Sequence, residues 1–391
     1  MVRKRWKLAQ SVLTLLLCVT LAFGSFGDAG AAAQSVGGSS AEKSGKGVTV
    51  ASADGVNSEL DQLALSDENA EEGFLSDNDL VWVIAVLKGD SLLDTAKAEN
   101  VAVDEYARSE EGAAQNAALI SKQDSFVRSL GGLAKDSSYH YTSVFNGVAL
   151  QIRYGDLEKL ENNSNLKDVI LSDTYAVPEA VTENLVNVWE DTGIYKSENV
   201  TDYTGQGTVV AVLDTGLDYT HSAFQMKNFP DLDTDNLAIT RDDVAANFDF
   251  LAAKALSEAK AEAEDKESTL QADDLYISEK VPFAYDYADS DADVYPVNDH
   301  GTHVAGIIGG KDDVITGVAV NTQLAIMKVF ENKDEGAPTT AILAGLSDAV
   351  VMGVDAINMS LGSSCGFTRE EDDDAVNEIY DSIKEAGICL I

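Results

Sequence analysis

Val209-Val210-Ala211-Val212-Leu213-Asp214-Thr215-Gly216 is the stretch on which the fold turns. Its first five residues are apolar and three of them are β-branched, the composition of a short strand buried on both faces. Such strands belong to parallel sheets covered by helices on either side. The run passes directly into Asp214, so an acid stands at the carboxyl end of a buried strand, where open α/β sheets gather their functional groups. An aspartate before Thr-Gly is also an ordinary turn residue, and the strand alone leaves both roles open.

Working outward, the downstream sequence repeats the alternation: a strand at Gln323 to Phe330, a helix at Thr339 to Met352, a strand at Ala356 to Ser360, a helix at Asp372 to Ala386, and a strand from Ile388. Strands separated by helices of about 12 residues give an α/β, doubly wound parallel sheet, here assigned to 185–391. The acidic excursion at 242–299, with an Ala/Glu/Lys-rich helical centre over 251–266, reads as a surface insertion. Upstream, 80–177 has a different rhythm. LVWVIAVL (Leu80 to Leu87) is a strand, the acid-studded stretch Ala96 to Leu130 a helix, and YHYTSVFNGVALQIR (Tyr139 to Arg153) two strands about Asn146-Gly147. A short helix at Asp156 to Glu161 and a strand at Val169 to Val177 complete the split βαβ order of a ferredoxin-like α+β domain.

Before that, 34–79 is rich in Gly, Ser, Ala and acid and reads as a flexible linker. Residues 1–33 run from Arg3, Lys4, Arg5 and Lys7 through an apolar core to Ala31-Ala32-Ala33, the three zones of a secretory signal peptide. The apolar core is shorter than the roughly 20 residues that cross a bilayer, so no transmembrane segment is expected, and the destination is extracellular. Cys18 leaves with the signal; Cys365 and Cys389 do not make a disulfide framework, and Cys389 reads as a small buried hydrophobe. Against 27 Lys and Arg the chain carries 67 Asp and Glu, a formal charge of −40. That field repels phosphate backbones and excludes nucleic acid as a partner.

The second concentration of chemistry is Asn298-Asp299-His300-Gly301-Thr302-His303-Val304-Ala305-Gly306-Ile307-Ile308-Gly309-Gly310. Polar residues followed by small ones predict a helix beginning near His300 whose glycines permit close backbone packing. Helical zinc sites place histidines at i and i+4 beside a Glu, whereas His300 and His303 are three apart, so no metal is assigned. With Asp214 as partner, the pair suggests a triad in which a buried Asp fixes the His tautomer and His takes a nucleophile's proton. His140 lies in the first module and His221 follows Asp214 too closely, which leaves His300 or His303.

These residues resemble the subtilisin-like serine peptidases, whose Asp-His-Ser order is a standard worked case of triad chemistry. VVAVLDTGLDYTH (Val209 to His221) and HGTHVAGIIGG (His300 to Gly310) match two signatures of that family in the right order. The resemblance makes Asp214 the orienting acid, His300 the general base and His303 structural. Ala356 to Gly362 is similar to the substrate-pairing strand and loop, which assigns substrate binding to Ser360, Leu361 and Gly362, with Gly336 on the opposite edge. Extended peptides add to such an edge through main-chain hydrogen bonds. VPFAYDYADSDADVYPVNDHGTHVAG (Val281 to Gly306) resembles the lactocepin and C5a-peptidase branch, which implies a cell-wall location for a full-length protein. No cofactor is required for this chemistry. Structural calcium is a family habit, and Asp289, Asp291 and Asp293 alternate like half a calcium loop, but without the Gly and closing Glu they read as a solvated acidic loop.

By the same resemblance 80–177 is an inhibitory propeptide, with FNGVALQI (Phe145 to Ile152) its most recognisable stretch. Its tail is expected to block the cleft until a cut between about Tyr175 and Tyr203. The family's Gly-Thr-Ser nucleophile motif and oxyanion Asn do not occur by Ile391, so the sheet is expected to be incomplete and the chain inactive as written. Ser360, Ser363 and Ser364 are poor substitutes for the nucleophile. The implied partners are protein or peptide substrates and the chain's own propeptide. The other reading is a secreted inhibitor or folding-chaperone module with a vestigial peptidase part.

Overall fold

A computed structural model describes residues 75–177, 203–333, 336–362 and 374–391. The leader, most of the linker, Cys365, Ser363, Ser364 and nearly all of the stretch expected to hold the cut lie outside the described residues.

The first module opens with β1 (Leu80–Leu87), then α1 (Leu92–Glu99), α2 (Val103–Ala107) and α3 (Glu110–Leu130). The single helix expected over 96–130 is therefore three. Asn100 closes α1 in the left-handed conformation, and the Ser91 and Ser109 side chains cap α1 and α3, so short polar residues within the acidic stretch set the boundaries. β2 (Asp136–Tyr141), β3 (Gly147–Arg153), α4 (Leu157–Glu161) and β4 (Leu166–Leu171) follow. The sheet order is β2-β3-β1-β4, every pair antiparallel, which is the split βαβ arrangement.

β1 does not alternate apolar with polar, although antiparallel strands with one wet face do. Packing supplies the reason. Val83, Ala85 and Leu87 face Phe126 of α3 and Leu160 of α4 inside the module. Ile84 and Val86, on the other face, join Tyr139, Tyr141 and Ala149 in a core shared with the second module. Both faces of this sheet are dry.

The chain continues through β5 (Thr174–Tyr175), β6 (Val209–Asp214), α5 (Arg241–Asn247), α6 (Ala252–Ala263), β7 (Phe283–Asp286) and α7 (His300–Gly309). Then come β8 (Gln323–Lys328), β9 (Ala337–Pro338), α8 (Thr339–Val351), β10 (Ala356–Met359), α9 (Asp374–Glu385) and β11 (Cys389–Leu390). Five strands form a parallel sheet in the order β11-β10-β6-β8-β7, with β6 at its centre. Val210 and Val212 pack toward Ala305 and Ile308 of α7, while Val209, Ala211 and Leu213 pack with Ile342 and Leu346 of α8 on the opposite face. Helices on both sides of a wholly apolar strand satisfy the doubly wound pattern.

The acidic excursion at 242–299 is more than a surface insertion. It supplies β7, one of the two edge strands of the sheet, with Phe283, Ala284 and Tyr285 buried, and α6, which packs on β2 and α8. The flanking acids obscure the apolar Val281-Pro282-Phe283-Ala284-Tyr285 run in any reading by composition. The expected strand at Val169 to Val177 is also divided: β4 ends at Leu171, and Thr174 and Tyr175 pair instead with Pro338 and Ala337 of β9.

Candidate active site

Asp214 ends β6 at 1 % exposure, and His300 is the first residue of α7. Their side chains meet, with Asp214 Oδ1 lying 2.8 Å from His300 Nδ1. The Thr215 amide donates to the same carboxylate oxygen at 2.7 Å. Residues that the sequence reading passed over fix this approach. Thr215 Oγ1 donates to the Asn298 carbonyl (2.7 Å) and accepts from the Gly301 amide (2.9 Å), while Asn298 Oδ1 accepts from the His300 amide (2.9 Å). The Asp218 amide donates to Thr302 Oγ1 at 2.8 Å, a further tie between the strand-end turn and the helix start. Asn298 could have been found as an Asx-type residue two positions before the helix; Thr215 carries no such signal.

Two glycines let the turn and the helix touch. Gly216 has φ +110°, and a Cβ on it would stand 2.3 Å from the Val294 carbonyl oxygen. A Cβ on Gly301 would lie 2.4 Å from the Gly216 carbonyl oxygen. Neither position admits a side chain without separating the two segments.

The hydrogen bond from Asp214 raises the pKa of His300 above the ordinary imidazole range, working against burial, which lowers it. Donation to the carboxylate places the proton on Nδ1 and leaves Nε2 as the acceptor. The arrangement can therefore take a proton at Nε2 and hold the resulting imidazolium beside a buried anion. Asp214 Oδ2 has no hydrogen-bond partner among the described residues. His303 lies at the surface, and partial desolvation of its ring, followed by the neighbouring His300, lowers its pKa. It borders a cavity of about 600 Å³ beside α7, together with His221, Tyr295 and Ile307. His221 Nδ1 accepts from the Ala223 amide at 3.1 Å, away from Asp214.

Gly362 exchanges two main-chain hydrogen bonds with Ala176: the Ala176 amide donates to the Gly362 carbonyl at 2.7 Å and the Gly362 amide to the Ala176 carbonyl at 3.1 Å. Leu361 packs on the shared core, and Ser360 Oγ accepts from Asn358 Nδ2 at 2.9 Å. Gly336 is buried just before β9. The end of the first module thus runs as an extended segment between β9 and Gly362, and Val177 reaches a small crevice lined by Thr215, Asn298 and Phe330. Main-chain pairing of this kind is how an edge receives a peptide.

The acidic run next to the site is already engaged. Lys260 Nζ donates to the Asp289 carbonyl (2.7 Å) and pairs with Asp291 (3.0 Å); Asp293 Oδ1 accepts from the Tyr295 amide (3.0 Å). Asp289 also lies 3.5 Å from the buried Lys328, which is paired with Asp286. Ammonium groups stand where a calcium ion would need free carboxylates, and among the described residues no cluster of His, Cys, Asp or Glu is arranged to hold a metal. These residues do not fit a calcium site.

Residues 205–391 match the profile of the subtilase family. The PI-type proteinase of Lactococcus lactis subsp. cremoris is 32% identical over 246 residues, covering 60% of this chain and 11% of that protein. The PII-type proteinase of Lacticaseibacillus paracasei is 33% identical over 246 residues with the same coverage of 60% and 11%. The chain thus spans about a tenth of the length of these relatives. Among solved structures, a variant of the epidermin leader peptide processing serine protease of Staphylococcus aureus aligns with a TM-score of 0.44 at 14% identity, over 79% of this chain and 59% of that one.

Proposed function

Since residues 205–391 match the profile of the subtilase family, we propose that this chain is the precursor part of a secreted serine endopeptidase, with Asp214 and His300 as two members of its triad. The observation that carries the reading is the 2.8 Å contact between Asp214 at the end of β6 and His300 at the start of α7. His300 Nε2 takes the proton of a serine hydroxyl as its oxygen attacks the scissile carbonyl, and Asp214 stabilises the imidazolium formed. His300 then returns the proton to the departing amine, and water repeats the sequence to release the acyl group. No Gly-Thr-Ser occurs within residues 1–391.

Substrates of this enzyme are extended peptides that pair with Gly362 on one side and with β9 on the other, with Ser360 and Leu361 beside them. The first module acts as its inhibitor, its Thr174–Val177 tail lying where a substrate would. Pairing of Ala176 with Gly362 and of Tyr175 with Ala337 supports this role. The leader-like residues 1–33 support secretion. In a protein that joins these residues to the nucleophilic serine, His300→Ala should abolish self-processing and leave export intact, as followed by immunoblot of culture medium. Unchanged processing in that variant rejects the assignment.

A further inference from the structure

α6 begins without a cap of its own, because Leu251 at the N-cap position offers no side-chain acceptor. The acceptor comes from α8. Asp348 takes hydrogen bonds from the Ala252 amide at 2.5 Å and the Ala253 amide at 3.0 Å, one on each carboxylate oxygen, and the Tyr287 hydroxyl donates to it at 2.8 Å. It is fully buried, and no Lys or Arg is among its partners in the described residues. Part of its cover belongs to the other module. Tyr139 of β2 lies against Ser347 and Asp348, and its neighbour Tyr141 donates to the Thr340 carbonyl at 3.0 Å. A carboxyl without a cation thus sits beneath the seam between the modules.

We propose that Asp348 makes attachment of the first module to the second depend on pH, firm in acid and progressively looser as the pH rises to neutrality. The inference rests on packing at the seam and holds whether or not the first module serves as an inhibitor. When β2 lifts away, water reaches the carboxyl and favours its charged form, so the attached state holds the proton more tightly. Burial pushes the attached pKa up to about 7, against the three hydrogen bonds that lower it. For a raised carboxyl the sign is fixed: attachment is strongest below the detached pKa and weakens as pH rises through the attached one, by at most about tenfold per pH unit for a single proton.

The groups facing Asp348 do not supply the same dependence. Tyr139, Tyr285 and Tyr287 are all held well above the usual tyrosine range by burial, so they stay neutral. On α6 the facing groups are amides, while Lys254 is engaged with Asp249 and Glu258. The Asp286–Lys328 pair lies across β7 and β8, and Asp104 of α2 faces Gly353 beyond the end of α8. His140, whose pKa burial lowers, contacts Gln123 and Asp124 of its own module, so its charge does not cross the seam.

Hydrogen exchange of the 391-residue chain tests the proposal, read on peptides covering β2 and β3 and corrected for intrinsic amide chemistry. Between about pH 5.5 and about pH 7.5 the opening of the wild-type sheet should increase by about tenfold or more, and in Asp348→Asn by less than about twofold. A wild-type chain without the increase, or a variant that keeps it, overturns the proposal. Should Asp348→Asn fail to fold, Tyr139→Ala decides, because it removes part of the cover over Asp348 and admits water while leaving the carboxyl itself in place. Its transition should move to lower pH, and an unmoved midpoint rejects the latch.

Discussion

His300 keeps its Nδ1 proton because Asp214 is buried, ionic and fixed in direction by the Thr215 amide. Replacing Asp214 with Asn removes the charge but leaves the shape. The pKa of His300 should then fall from its raised value toward the ordinary imidazole range of about 6.5 or below, since burial would be opposed only by the smaller influence of Asp299. Side-chain NMR of the imidazole in the 391-residue chain measures this, and an unchanged titration would show that the contact does not set the proton. Stability follows with a definite sign. A raised histidine pKa contributes stability in full below the unfolded value and loses it as pH rises through the folded value, so wild type and Asp214→Asn should converge in alkaline solution. Asp214 and His300 were legible in the sequence because each stands at an element boundary with a motif around it. Thr215 was not, since its work is done by contacts with main-chain groups distant in sequence, for which residue type gives no sign, whereas Asn298 offered only the weaker local signal of an Asx residue ahead of a helix.

Among the elements, β1 shows what sequence patterning says and what it withholds. Its unbroken apolar run announces a strand dry on both faces, but not which surface covers the second face. Ile84 faces the second module and Leu150 of β3 the module's own helices, and both are fully buried. Truncating either to Ala should cost about 2–5 kcal/mol, with different consequences. Leu150→Ala should loosen the first module itself. Ile84→Ala should leave its internal core intact and weaken the seam, so that hydrogen exchange accelerates in α8 and β2 together while α3 stays protected. Equal acceleration in α3 would contradict the division of the two faces. The misread elements have local causes: Asn100 and the serine caps interrupt the long helix, and the acids around β7 hide a strand of four residues. The break between β4 and β5 has no local signal, because the partner that draws Thr174 and Tyr175 away, β9, is supplied by the other module.

At the scale of the whole molecule the dominant quantity is the charge of −40. The folded chain concentrates carboxylates that cannot all be paired, because 67 acids face 27 Lys and Arg. Two lysines are moreover spent inside: Lys328 on Asp286, and Lys280 on the carbonyls of Val320 and Thr322, with burial pushing its pKa down to about 7. The surface pairs that remain, such as Lys97 with Glu385 and Lys167 with Glu378 across the seam, are solvent-exposed and individually weak. Self-repulsion of the compact state should therefore outweigh surface attraction, and salt screens both over a Debye length of about 10 Å at 0.1 M. Raising sodium chloride from about 0.02 M to about 0.3 M should increase the thermal midpoint of the 391-residue chain by about 2 °C or more. A chain held together mainly by its ion pairs would respond in the opposite direction, so a falling midpoint in a calorimetric salt series would overturn this account of what limits its stability.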